Sequence, residues 1–328
     1  MELPSLGALG RASFRPLRHV GLPALDEYRV DTSYAAYDPA WEEFLARLSG
    51  AHYTQSALWA RIKAPGGWHA VRVVVHDAGR IVAGSQLLIR PLPLVGALGY
   101  VPKGPALAER SPRLVALTLA ALHRVARAHG VRYLAVQPGR DGQPVAQQLQ
   151  AQGFQPQPGL GTCTATLLVD LAPEPEAILA RMKKRTRLNI RRSERCGVVV
   201  REGDAGELDA FYRLLVAAGA RKGFPVYARA YYQELWQALA PQGRIRLFLA
   251  ERAGEVLSAQ LAIPFGDTLY SHVSAWSGEQ GDAKPNEALE WGAMLWAKRH
   301  GYRYYDFEGI DPPTAEALAR GEAPPPPP

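Results

Sequence analysis

A pattern used twice constrains this chain more than any other feature. Val71-Arg-Val-Val-Val-His-Asp-Ala-Gly-Arg-Ile-Val-Ala-Gly-Ser-Gln-Leu-Leu-Ile89 reads as strand, tight turn at Asp77 to Gly79, strand. Arg246-Leu-Phe-Leu-Ala-Glu-Arg-Ala-Gly-Glu-Val-Leu-Ser-Ala-Gln-Leu-Ala-Ile263 reads the same way, with its turn at Arg252 to Gly254. After the first hairpin, Leu114, Leu117, Leu119, Leu122 and Val125 give helical spacing over 114–129 that stops at Gly130 and runs into a strand over 131–136. After the second, 288–300 is helical, stops at Gly301 and leads into a strand over 302–307. A further helix opens each unit, over 40–48 and 207–218. Helix, antiparallel hairpin, helix and strand, taken twice, predict an α+β fold of two tandem modules with mainly antiparallel sheets flanked by helices.

The length of 328 residues agrees with two domains at about 150 residues each. Loop signals in Gln155-Pro-Gln-Pro-Gly-Leu-Gly161 and Pro173-Glu-Pro175 place the boundary between them. The expected division is an N-terminal extension over 1–24, a first module over 25–165, a second over 166–312 and a Pro-rich, extended tail over 313–328. With 47% apolar and 21% charged residues the chain reads as an ordinary folded protein. No stretch approaches the roughly 20 apolar residues of a membrane span. Arg11, Arg15, Pro16 and Arg18 break up any secretory signal in the first 24 residues, so a cytoplasmic location is expected. The two cysteines, Cys163 and Cys196, form no CxxC pair and have no His at ligand spacing; neither a disulfide scaffold nor a metal is expected.

Formal charge is +7, and its placement says more than its size. Residues 181–195 hold eight Lys/Arg against one acid, Glu194, a net charge equal to that of the whole chain. A neutral body with one concentrated basic segment points to a local polyanion contact. A basic helix over 182–196 would rest Ile178, Met182, Thr186 and Ile190 on the module and turn Lys184, Arg187, Arg191 and Arg195 outward. The alternative is a solvated helix face.

The order of elements resembles the acetyltransferase (GNAT) module. A coenzyme A user of that fold needs a Gly-rich loop entering a helix to receive the pyrophosphate. The two loops at that place, 103–112 and 278–286, lack the Gln/Arg-x-x-Gly-x-Gly/Ala arrangement. Four other motifs occur in the order found in the FemABX peptidyltransferases. They are Thr54-Gln-Ser-Ala-Leu-Trp-Ala-Arg-Ile-Lys63 with Gly67-Trp68; Tyr100-Val-Pro-Lys-Gly-Pro105; Lys184-Arg-Thr-Arg-Leu-Asn-Ile-Arg-Arg-Ser-Glu-Arg-Cys-Gly-Val198; and Tyr304-Tyr-Asp-Phe-Glu-Gly-Ile-Asp-Pro312. The chain resembles that family over most of its length.

The resemblance implies two GNAT-like modules that move glycine, alanine or serine from aminoacyl-tRNA to the amine of the third stem residue of a peptidoglycan precursor, UDP-linked or lipid-linked. The precursor would lie chiefly on the first module and the tRNA would approach the second, with no cofactor beyond the aminoacyl-tRNA co-substrate. A lipid-linked precursor would bring the protein near a membrane without spanning it. Implied precursor contacts are Lys63, Tyr100, Lys103, Arg229, Tyr232 and Tyr270; implied tRNA contacts are Lys183, Lys184, Arg187, Arg191 and Arg195. Asp306 and Glu308, at a strand end, are candidates for proton handling, with turn capping as the alternative. No Ser-His-Asp order suggests a covalent intermediate, so direct attack in a ternary complex is expected. The family's Phe-Lys-x-Gly-Phe motif, whose lysine lies near the reaction centre, is replaced here by Pro313-Thr-Ala-Glu-Ala. No catalytic residue is therefore named. An acyltransferase acting on another small amine, and a non-catalytic precursor- or RNA-binding relative, remain as other readings.

Overall fold

A computed structural model describes residues 28–157 and 165–322, which form two compact units. The first holds β1 (Tyr28–Ser33), α1 (Pro39–Arg47), α2 (Ala57–Lys63), β2 (His69–Asp77), β3 (Arg80–Leu92), β4 (Gly96–Val101), β5 (Ala106–Leu107), α3 (Pro112–Ala128), β6 (Val131–Val136) and α4 (Gln143–Ala151). Its sheet runs β1-β2-β3-β4-β6, with β5 beside β3, and is antiparallel except for β4 and β6. The second holds β7 (Leu168–Asp170), α5 (Pro175–Arg181), α6 (Lys184–Arg195), β8 (Val199–Gly203), α7 (Leu208–Lys222), α8 (Arg229–Leu239), β9 (Arg246–Arg252), β10 (Glu255–Phe265), β11 (Thr268–Trp276), α9 (Pro285–Arg299), β12 (Tyr304–Asp306) and α10 (Pro312–Ala319). Its sheet runs β7-β12-β11-β10-β9-β8, and among these described strands only β11 and β12 pair in parallel, here inside the sheet rather than at its edge.

The repeat is physical. Both hairpins turn on two left-handed residues, Ala78 and Gly79 at φ 45° and 79° and Ala253 and Gly254 at 49° and 81°, the arrangement that matches strand twist. In the first unit α3 buries Leu114, Leu117, Leu122 and Val125 against Val71, Val73 and Leu87. In the second α9 buries Leu289, Met294 and Trp296 against Phe248, Leu269 and Tyr305. Gly130 and Gly301, both left-handed, stop these helices and release the chain into the parallel strand.

Two expectations are corrected. The segment from Pro312 begins a helix rather than an extended tail: Asp311 caps it by accepting from Thr314 N at 2.9 Å, prolines fill its first turn and Ala317 is buried. Residues 323–328, and the extension over 1–24, lie outside the described residues. The basic helix begins at Lys184, not at 182, because Met182 and Lys183 adopt extended backbone and separate it from α5, which carries Ile178.

The polar middle of the first sheet explains the Thr54-Gln-Ser motif. Gln86, buried at the centre of β3, donates to Thr54 O (3.1 Å) and Ser56 O (2.8 Å), and its backbone N–H donates to Gln55 Oε1 (2.8 Å). Gln55 in turn donates to Pro102 O at 2.6 Å and accepts at its carbonyl from Trp41 Nε1 at 2.9 Å. Arg72, 1% exposed, donates to Gln86 Oε1 (3.1 Å) and Ala35 O (2.6 Å), its charge tempered by Glu42 and Asp38. Gln86→Met keeps the volume and strands several of these groups, each at a cost of about 1–3 kcal/mol. It should lower the melting temperature by roughly 5–10 °C in a thermal scan. A shift below about 2 °C would show that water replaces the amide.

Candidate active site

The parallel pair of the second unit comes apart. β11 and β12 pair only over Thr268–Tyr270 with Tyr304–Asp306, after which β12 ends while β11 continues to Trp276. Past Asp306 the chain bonds to its other neighbour, Phe307 N to Leu167 O at 3.2 Å and Ile310 N to Ala165 O at 3.0 Å. The backbones of β11 and of the chain after Asp306 therefore diverge, and the cleft is the wedge between these two backbones. In the first unit β4 and β6 stay paired to Val101 and Val136, and Gln137 N to Val101 O (2.9 Å) and Gly104 N to Gln137 O (3.0 Å) prolong the zipper. Tyr100 closes it further by donating its hydroxyl to Gln137 Oε1 at 2.9 Å.

At the mouth of the open cleft β11 carries a bulge: Leu261 faces Val273 and Ala262 faces Ser271, so His272 is the extra residue. Its Nδ1 lies 3.1 Å from Glu308 Oε2, and both side chains are largely buried. Glu308 holds a left-handed backbone (φ 59°), and its N–H donates to Asp306 Oδ1 at 2.7 Å. Asp306 also accepts from Thr166 Oγ1 at 2.5 Å. An ionised carboxylate only accepts hydrogen bonds, so Glu308 fixes the proton of a neutral His272 on Nδ1 and leaves Nε2 as the basic nitrogen. The phenols of Tyr231 and Tyr270 are held well above their ordinary range, chiefly by burial; Glu308 adds to both, and Asp306 to Tyr270.

Toward α9 the cleft is backed by a second polar cluster. The amide nitrogen of Gln260 lies 2.8 Å from Ser271 Oγ, 2.8 Å from Tyr305 OH, 3.1 Å from Ser274 Oγ and 3.1 Å from Glu290 Oε1. Tyr305 donates a short hydrogen bond to Glu290 Oε2. Desolvation holds the Glu290 carboxyl above the usual range, against the pull of hydrogen bonds from Tyr305, Gln260 and Ser274.

The residues singled out in the sequence fall into separate groups. Asp306 and Glu308 come together, with Tyr270 opposite Asp306 on the neighbouring strand. Tyr270 and Tyr232 are buried, the latter against Phe211 and Tyr212, with its phenol pushed up to about 12 by burial and then by Tyr212. Arg229 forms a short ion pair with Asp209. In the first unit, Lys63 Nζ sits 4.6 Å above the Trp59 ring, and burial lowers its pKa. Lys103, at φ 50°, lines a depression with Arg110 and Arg140 that does not include Lys63 or Tyr100. Lys183, Lys184, Arg191 and Arg195 are exposed, whereas Arg187 is half-buried and donates to the carbonyls of Ala180 and Met182. Ile190 anchors α6 in the core, and Asn189 Nδ2 donates to Glu287 Oε1 of α9 at 2.7 Å. His272, Glu290 and Gln260 were not legible as site residues, since a lone histidine in a strand and a glutamate in a helix carry no spacing signal. Among the described residues no group of three or more His, Cys, Asp or Glu is placed to hold a metal ion.

Comparison with known proteins agrees with this architecture. The FemAB family model matches residues 38–157 and the acetyltransferase (GNAT) domain model matches 180–314. A UDP-N-acetylmuramoylpentapeptide-lysine N(6)-alanyltransferase of Weissella viridescens is 27% identical, covering 83% of each chain. A lipid II:glycine glycyltransferase of Staphylococcus saprophyticus is 23% identical over 84% of this chain and 83% of that protein. Among solved structures, the crystal structure of FemX superposes with a TM-score of 0.74 at 20% identity, over 86% of this chain and 89% of that one. A tandem GNAT protein from the clavulanic acid biosynthesis pathway gives 0.51 at 14% identity, over 89% and 94%. The relatives and the GNAT domain model thus define an acyl-transferring enzyme built from two GNAT-type units. The chain is similar to the FemABX family, by the FemAB model in its first unit and by these relatives over most of its length.

The raised Glu290 carboxyl has a stability signature. A carboxyl whose native pKa lies above its unfolded value stabilises the fold below that unfolded value, and the contribution is lost as pH rises through the native one. As pH rises above the ordinary glutamate value of about 4.3, wild type should therefore lose stability relative to Glu290→Gln. Urea unfolding of both proteins at several pH values would check this, and a difference that is flat or opposite in trend would contradict the assignment.

Proposed function

We propose that the protein transfers an amino acid from aminoacyl-tRNA to the amine of the third stem residue of a peptidoglycan precursor, with the second unit receiving the aminoacyl end. The observation that carries this reading is a shared support. The exposed basic helix α6 packs on α9 at Asn189 and Glu287, and Glu290 of the same α9 backs the cleft between β11 and β12. A polyanion held on α6 would lie along the element that leads to the cleft. Support also comes from the relatives, whose names describe alanyl and glycyl transfer to a muramoylpentapeptide lysine and to lipid II.

The aminoacyl ester is already activated, so the protein must align a neutral amine with it and manage one proton. In this reading the amine attacks the ester carbonyl carbon, the new C–N bond forms and the bond to the ribose oxygen breaks. His272 Nε2 accepts the proton released by the amine and returns one to the departing ribose alkoxide. Glu308 orients the imidazole through its contact with Nδ1. The His272–Glu308 pair thus takes the place of the lysine in the family's C-terminal motif. The acceptor precursor belongs to the first unit, where Lys63 and the depression at Lys103, Arg110 and Arg140 offer cations to its diphosphate and carboxylates.

Two measurements test the reading. Arg187 is spent on backbone carbonyls, whereas Lys184, Arg191 and Arg195 of α6 are exposed. Replacing these three with Ala should flatten the log–log salt dependence of aminoacyl-tRNA binding by about 2, at roughly 0.7 per contact; an unchanged slope removes α6 from the interface. In single-turnover transfer from glycyl-, alanyl- and seryl-tRNA to a lysine- or ornithine-containing precursor, His272→Gln should slow transfer by about 100-fold or more without weakening tRNA binding. Equal rates would reject His272 as the base, and absence of transfer by wild type from any of the three would reject the function.

A further inference from the structure

We infer that the β3–β4 hairpin of the first unit is a finger that docks the protein on an anionic lipid surface. Leu92 pairs with Gly96, leaving Pro93, Leu94 and Val95 as the tip; Leu94 is fully exposed and Val95 is 58% exposed. Leu94 sits at φ 65°, a conformation that glycine or asparagine would adopt at lower cost, so the tip does not owe its leucine to the turn. The repeat supplies an internal control. The corresponding β10–β11 turn of the second unit is Gly266-Asp267, two residues, one of them acidic, so the fold does not require an apolar tip.

The surroundings of the finger are rich in arginine. Gly96 and Ala97, at its base, lie against Gly130 and Arg132, and the His129 ring is 5.7 Å from that of Tyr34, which is 65% exposed. The four segments at this end of the sheet, 33–37, 67–70, 88–98 and 124–133, contain Arg90, Arg124, Arg127 and Arg132, all exposed, and no Asp or Glu. An aliphatic tip with a tyrosine beside it and arginines behind it matches the layers of an anionic bilayer: acyl chains, interface and phosphates. Among the described residues no helix is long and apolar enough to cross a membrane, so the contact is peripheral.

Co-sedimentation of the full chain with phosphatidylcholine vesicles, with and without phosphatidylglycerol, tests this with neither tRNA nor precursor present, so it stands or falls apart from the proposed reaction. Wild type should bind the phosphatidylglycerol vesicles and release at high salt. Leu94→Asp with Val95→Asp should weaken binding about tenfold or more, with an unchanged melting temperature because both side chains are exposed. Arg90→Gln with Arg132→Gln should weaken binding and its salt dependence together. Leu94→Trp should blue-shift its emission when vesicles are added. No vesicle binding by wild type, equal binding of the Asp variant, or equal binding to pure phosphatidylcholine would overturn the proposal. So would self-association in solution abolished by the Asp variant, or RNA binding abolished by the Arg variant, in a protein that ignores vesicles.

Discussion

Two parallel strands inside an otherwise antiparallel sheet create the constraint on which this protein depends. Where such strands part, backbone N–H and C=O groups lose their partners and must find others or face solvent or a ligand. The two units resolve the same problem oppositely. In the first, Gln137 and Gly104 keep donating across the β4–β6 seam, and Tyr100 locks it from the side. In the second, the chain after Asp306 turns to Leu167 and Ala165, so β11 runs on beside an opening. One copy keeps its parallel seam closed; the other lets the two strands diverge.

The divergence extends to the core. Each central strand carries a fully buried glutamine, Gln86 or Gln260. Opposite Gln86 stands Arg72, whose guanidinium ties the sheet to Ala35 and, through Gln86, to the loop at 54–56. Opposite Gln260 stands Phe248, and the polar partners come instead from β11, β12 and α9. The first arrangement immobilises a loop, while the second puts hydroxyls and a carboxyl of raised pKa behind the cleft.

Much of this was legible. Periodicity and turn chemistry gave both hairpins and the long helices, because I′ turns and glycine stops leave local marks in the sequence. The helix at Pro312 was hidden by its prolines, which suit a first helical turn as well as an extended chain, so the reading hung on recognising Asp311 as a cap. The basic segment was legible as charge but not residue by residue: Arg187 occupies the same helical repeat as its neighbours and yet folds back to satisfy the end of α5. The pairing of His272 with Glu308 could not be seen, because it depends on a one-residue bulge that reorients a strand side chain and on a left-handed glutamate. Both are tertiary features.

That pairing bears on the departure in the C-terminal motif. Where a lysine is expected near the reaction centre, this chain forms the capped helix α10. A lysine there would supply a fixed positive charge, whereas a histidine held by a carboxylate supplies a group that can accept a proton and return it. The proposed transfer from an ester to an amine needs a proton removed from the nucleophile and one delivered to the leaving oxygen, and in that proposal a group that cycles meets both needs at one position. The left-handed backbone of Glu308 fits this view. Such a conformation costs free energy in a non-glycine residue and persists only when its surroundings determine it. Here the Glu308 N–H is tied to Asp306 and its carboxylate to His272. The two acids first noticed as one cluster thus have separate tasks, Asp306 holding the backbone that aims Glu308, and Glu308 holding the imidazole.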